Sequence, residues 1–256
     1  MVTALRTREA APPEELRRLR AEMDRVRGRR VSAPVFPVHP RLADLLPERG
    51  LRPGSVYALE PSPSLLLGLM ATASRAGSWC GVVGVPSLGV EAAEGFGLDL
   101  SRLVLVPEPG ARWLAVASAL AEVLPLVAVR PPERVRESDA ARLTARLRDR
   151  GCALLTLGDW PGADALLSTS DPRWQGVGAG DGYLAGREVT VTVSSRRFPV
   201  PRSTRVMLPD AAGAVDAAVA TSAGTAVRGA VAADPSALEG VSRGRGADPV
   251  PIRAAG

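Results

Sequence analysis

The residues that come closest to phosphate chemistry are Glu60, Pro61, Ser62, Pro63 and Ser64, which stand between a strand-like run, Ser55 to Leu59, and an apolar helical run, Ser64 to Arg75. A strand, a turn and a helix start in that order place backbone N–H groups and a helix dipole where a phosphate can sit. The chemistry further needs glycines for close backbone approach, a lysine for the terminal phosphates and a Ser/Thr for Mg²⁺. Here Pro61 and Pro63 have no N–H, no glycine lies between Gly54 and Gly68, and Leu65, Leu66 and Leu67 fill the first helical turn. Glu60 adds a negative charge where an anion would sit, and the chain contains no lysine, its 32 basic residues all being arginine. The expectation is a degenerate phosphate loop with no bound cofactor, no metal and no catalytic residue.

Other nucleophile and ligand sets are equally thin. His39, the only histidine, lies between prolines without a second histidine or a cysteine nearby. Ser62, Ser64 and Ser87 lack the context and the histidine base of a serine hydrolase. Cys80 and Cys152 sit in separate apolar runs and read as small buried hydrophobes. Asp159 and Asp164 are expected near the carboxyl edge of a sheet, in capping or turn roles.

The net charge of +5, from 27 acidic residues against 32 arginines, is compatible with nucleic acid or an acidic protein partner without demanding either. Arginine in place of lysine, with abundant Ala, Gly and Pro, reads as coding bias, so the high pI carries no functional weight. An apolar fraction of 46% in 256 residues supports one sizeable α/β domain with tails. No leader-like or membrane-length apolar stretch is visible, so a cytoplasmic location without membrane contact is expected.

The elements that must position these residues follow from periodicity. Residues 13–30 form an amphipathic helix with Leu16, Leu19, Met23 and Val26 at heptad spacing, followed by a proline-punctuated linker and a short helix at Arg41 to Glu48. The core is assigned to 41–208. Its strands are Ser55 to Leu59, Trp79 to Val85, Leu103 to Val106, Leu126 to Val129 and Ala153 to Leu157. Helices at Ser64 to Arg75, Gly89 to Gly95, Arg112 to Val123 and Ser138 to Arg150 alternate with them, which predicts a mainly parallel sheet covered on both faces. Leu166 to Ser168, Trp174 to Gly176 and Glu188 to Ser194 predict an antiparallel extension. Residues 209–256 read as a disordered C-terminal tail.

The phrases RAGSWCGVVGVPSLG, FGLDLSRLVLVPEPG, LPLVAVRPP, LGDWPGAD and RWQGVGAGDGYLAGREVTV resemble, as a set over about residues 13–200, the RecA-like proteins of actinobacteria related to ImuA. The resemblance implies a RecA-like three-layer α/β sandwich. It further implies an accessory role in DNA-damage-induced mutagenesis and translesion synthesis. The partners implied are an ImuB-type Y-family polymerase homologue, RecA as a candidate and, indirectly, an error-prone C-family polymerase. ATP hydrolysis does not carry over: Leu65 to Leu67 replace the Lys-Thr signature, and Arg130 ends the strand where the magnesium-binding acid belongs.

The site residues are therefore expected to bind rather than react. Leu16, Leu19, Met23 and Val26 are the candidate protein-docking stripe, with covering of the protein's own core as the plain alternative. Arg196, Arg197, Arg202 and Arg205 are the candidate nucleic-acid cluster, weakly direct or through partners, against an ordinary solvated surface. Trp174 and Tyr183 are expected to pack in the core or at an edge rather than stack on bases. The alternatives to the accessory reading are an ATP-dependent recombinase-like protein and a damage-induced inhibitor of cell division.

Overall fold

Continuous runs of apolar residues become strands buried on both faces, because each is sandwiched between helices that need somewhere to lay their own apolar stripes. The computed structural model describes residues 34–177 and 182–217. The expected N-terminal helix with Leu16, Leu19, Met23 and Val26 lies outside the described residues, as does 218–256.

The first described elements are a small ribbon, β1 (Phe36–Pro37) and β2 (Gly50–Leu51), flanking the short helix α1 (Pro40–Ala43). The core follows as β3 (Val56–Leu59), α2 (Pro63–Arg75), β4 (Cys80–Val83), α3 (Val90–Gly95), β5 (Leu103–Val106), α4 (Trp113–Val123), β6 (Leu126–Val129), α5 (Glu137–Arg150) and β7 (Ala153–Leu157). The chain then forms β8 (Ala165–Val177), β9 (Gly182–Ser195), β10 (Arg202–Met207) and β11 (Asp216–Ala217).

Among the described residues the main sheet has the order β11-β10-β9-β8-β3-β7-β6-β4-β5. From β8 to β5 every pairing is parallel, and from β8 to β11 every pairing is antiparallel. This is the expected α/β sandwich with an antiparallel extension. One apolar cluster joins α1, α2 and α3 to residues such as Leu59, Leu155, Val191 and Val206, while a second joins α4 and α5 to Val56, Ala58, Val127 and Leu154. The sheet is thus the middle of three layers.

Cys80 belongs to the first cluster and Cys152 to the second, so the sheet separates the two free thiols. Burial pushes each up to about 12.

Three expectations are corrected. The strand pieces at 166–168 and 174–176 are one strand, because a register shift between Ser170 and Arg173 carries the ladder past Pro172, with Asp171 at φ 50. Arg202 and Arg205 belong to a further strand, β10, rather than following the last strand, since Val206 and Met207 are buried and pin the segment to β9; Arg202 is still exposed there. The ordered core also runs beyond 208: Leu208 and Val215 are buried in the α2 cluster, and β11 pairs with β10.

Candidate functional site

The segment between β3 and α2 opens with an amide already used by the protein itself. Glu60 N donates to Leu167 O at 2.9 Å, which extends the pairing of β3 with β8 beyond the strand end. Ser62 is the N-cap of α2, and its Oγ accepts from Leu65 N at 3.4 Å while its carbonyl accepts from Leu66 N at 3.1 Å. With Pro61 and Pro63 lacking N–H groups, only the amides of Ser62 and Ser64 are left over this stretch. Leu65, Leu66 and Leu67 are buried in the core, so none of them can face a ligand.

A cation does reach the start of α2, from a residue the sequence did not single out. Arg187 of β9 donates from Nη2 to Ser64 Oγ at 2.6 Å and from Nε to Leu208 O at 3.0 Å. Its guanidinium lies 5.6 Å from the Trp174 ring centroid, the two residues being direct partners across the β8–β9 ladder. Burial pulls the Arg187 pKa down from the ordinary arginine value. The guanidinium therefore serves as a tie between the antiparallel extension and α2. Trp174 is 52% exposed, with the Arg187 guanidinium over its ring.

The opposite wall of a nucleotide site is also altered. Arg130 directly follows β6, is exposed, and donates its N–H to Val83 O at 2.9 Å. Gly84, at φ 78, passes so close to Arg130 that a Cβ would collide with the Arg130 carbonyl oxygen. The donor set here does not fit a nucleotide with Mg²⁺: lysine is missing, Pro61 and Pro63 have no N–H, Glu60 N is bonded to Leu167 O, and arginine stands where a metal-binding carboxylate would be. Among the described residues no group of three or more His, Cys, Asp or Glu side chains could hold a metal ion.

The candidate basic cluster is largely tied into the fold. Arg197 pairs with Glu48 at 2.7 Å, and Arg205 pairs with the buried Glu188 at 3.0 Å. Arg202 donates to Asp44 O at 3.2 Å and stacks 3.7 Å from the Phe198 centroid. Two features keep the four from forming one continuous face. First, these partners already take the charges of Arg197 and Arg205. Second, pairing with β9 puts Arg202 and Arg205 in opposite phases of the pleat, so they face opposite sides of the sheet. Arg196 alone of the four lines an open groove.

That groove, about 1060 Å³, is bounded by Arg134 to Glu137 before and at the start of α5, by Asp159 to Asp164 between β7 and β8, and by Ala58, Leu166, Ser194 and Arg196. Asp164 is not at the carboxyl edge: its Oδ2 accepts from Val56 N at 3.0 Å, at the amino end of β3, and its Oδ1 lies 3.6 Å from Arg52. His39 caps α1, its Nδ1 accepting from Arg41 N at 3.4 Å, and burial is the main cause of its lowered pKa. Among the described residues no helix is long and apolar enough to cross a membrane.

Residues 44–162 match the family model described as the MT3502 N-terminal domain. Over 132 residues the chain is 39% identical to the uncharacterized protein Rv3395c of Mycobacterium tuberculosis, a match covering 50% of this chain and 65% of that protein. Among solved structures the RadB recombinase superposes with a TM-score of 0.50 at 15% identity, covering 70% of this chain and 97% of RadB. The fold is RecA-like.

Proposed function

We propose that this chain is a non-catalytic, RecA-like accessory protein that works by holding partners rather than by turning over ATP. The observation that carries the reading is the use of the β3–α2 segment as structure, with Glu60 N bonded to Leu167 O and Ser64 Oγ to Arg187. A phosphate loop must leave its amides and its first helical turn open to the ligand. Here Glu60 N is taken by Leu167 O, Pro61 and Pro63 have no N–H to offer, and Arg187 holds Ser64 Oγ at the first helical turn.

The setting we propose is DNA-damage tolerance, with an ImuB-type Y-family polymerase homologue as the main partner, RecA as a second and an error-prone C-family polymerase reached indirectly. Support for the setting comes from the resemblance of the quoted phrases to ImuA-related proteins and from the RecA-like fold. DNA contact in this reading passes chiefly through partners, because Arg197 and Arg205 are paired within the protein and Arg202 is bonded and stacked. The stripe Leu16, Leu19, Met23 and Val26 is proposed as a docking element.

Co-purification of the full chain with an ImuB-type Y-family polymerase homologue tests the reading. Binding to the parent chain and its loss in Leu19→Asp/Met23→Asp support the proposal and its docking element. Failure of the parent chain to bind either that homologue or RecA contradicts it.

A further inference from the structure

Five parallel crossovers build the sheet, and four of them carry a helix: α2, α3, α4 and α5. The fifth, from β7 across β3 to β8, is made by Gly158 to Asp164 alone. Such a crossover usually takes a dozen or more residues and a helix, which covers the strands it spans. Here Trp160 and Ala163 of the short connection join the α4–α5 cluster, but no helix of a crossover lies over Leu166 of β8 on that side. Leu166 is left 44% exposed on the floor of the 1060 Å³ groove.

The groove has the size and chemistry of the missing element. A helix with side chains is 10–12 Å across, so this volume takes roughly two turns fully sunk, or a longer helix half sunk. Its floor and walls include Ala58, Val135, Ala163 and Leu166, while Arg134, Arg136 and Arg196 stand on its rim. These three arginines have no ion pair among the described residues; of the groove's carboxylates Asp164 is held by Arg52 and Val56 N, and Glu137 and Asp159 offset only part of the arginine charge, which leaves the lining net positive. The rim therefore favours an acidic occupant. An aliphatic floor with Trp160 buried offers no exposed ring for base stacking, which separates this groove from a single-strand binding channel.

We propose that a partner protein docks here through an amphipathic helix whose apolar face covers Leu166 and whose flanks carry carboxylates toward Arg134, Arg136 and Arg196. This assignment rests on the partner-binding reading above and adds to it the surface and the chemistry of the partner segment.

The test titrates the full-length protein with a short fluorescein-labelled peptide of helically spaced leucines among glutamates, read by anisotropy. Saturable binding is expected, weakened about tenfold or more by Leu166→Asp and by Arg196→Glu. The double variant Arg134→Glu/Arg196→Glu should instead prefer the same peptide with lysines in place of glutamates, a reversal that misfolding cannot produce. The proposal is overturned if the parent binds neither peptide, binds both equally, ignores Leu166→Asp, yields the groove to (dT)20, or buries Leu166 in a homodimer by sedimentation and crosslinking. If the polymerase homologue co-purifies equally with the parent and with Leu166→Asp, the groove assignment fails while the partner reading stands. Peptide binding with charge reversal, but no co-purification of the parent with polymerase homologue or RecA, would leave the groove and remove that reading.

Discussion

Arg187 and Ser64, 123 positions apart in sequence, meet through a 2.6 Å hydrogen bond at the first turn of α2. The bond ties the antiparallel extension to the helix that would otherwise present its amino end to a phosphate. Trp174 backs the guanidinium, and Leu208 O accepts a hydrogen bond from its Nε.

Replacing Arg187 with Ala removes two hydrogen bonds and the ring contact from a half-buried position. A stability loss of roughly 1–3 kcal/mol is expected. Urea denaturation measures it. A midpoint unchanged from the parent would show that the tie contributes nothing.

Glu188 is buried and meets Arg205 at 3.0 Å, while Arg205 Nε has no further partner. Glu188→Ala leaves a cation on a sheet face with its counterion gone, and a loss of about 1–3 kcal/mol is expected, reduced from the cost of a fully buried pair by the partial exposure of Arg205. Arg205→Met made together with Glu188→Met should recover most of it in thermal unfolding. A double variant no better than Glu188→Ala would contradict the pairing argument.

The thiols of Cys80 and Cys152 are held protonated by burial, up to about 12 against an ordinary value of 9.0. Below about pH 9 both states keep the proton and nothing is lost. As pH rises from about 9 toward 12 the unfolded thiols ionise and the folded ones do not, so stability falls. At pH 10 the expected loss is about 1 kcal/mol per thiol. Comparing urea midpoints at pH 8 and pH 10, the double variant Cys80→Ala/Cys152→Ala should show a smaller drop than the parent. An equal drop would place the alkaline sensitivity elsewhere.

The parallel core was legible in the sequence because its strands are unbroken apolar runs: Leu103–Val106, Leu126–Val129 and Ala153–Leu157 are strands over those residues. The ends of the four crossover helices fell within a residue for the same reason, the switch from one period to the other being abrupt, whereas the helix expected at Arg41 to Glu48 is only the single turn Pro40–Ala43. The extension was harder. Pro172 reads as a break, yet a bulge passes the strand through it, and β10 hides two buried residues, Val206 and Met207, behind Arg202, Ser203 and Arg205. What the phosphate loop lacked was visible as residue types at Pro61, Pro63 and Leu65. What replaced the ligand was not, because the contact of Ser64 with Arg187 depends on how β9 is placed in the sheet.

Titration calorimetry of the full chain with ATP and Mg²⁺, followed by a phosphate-release assay, tests the central claim most directly. The closed β3–α2 segment predicts no saturable heat and no release above buffer. Saturable binding with turnover, lost on changing Ser62 or Ser64 to Ala in protein that remains folded, would contradict the account.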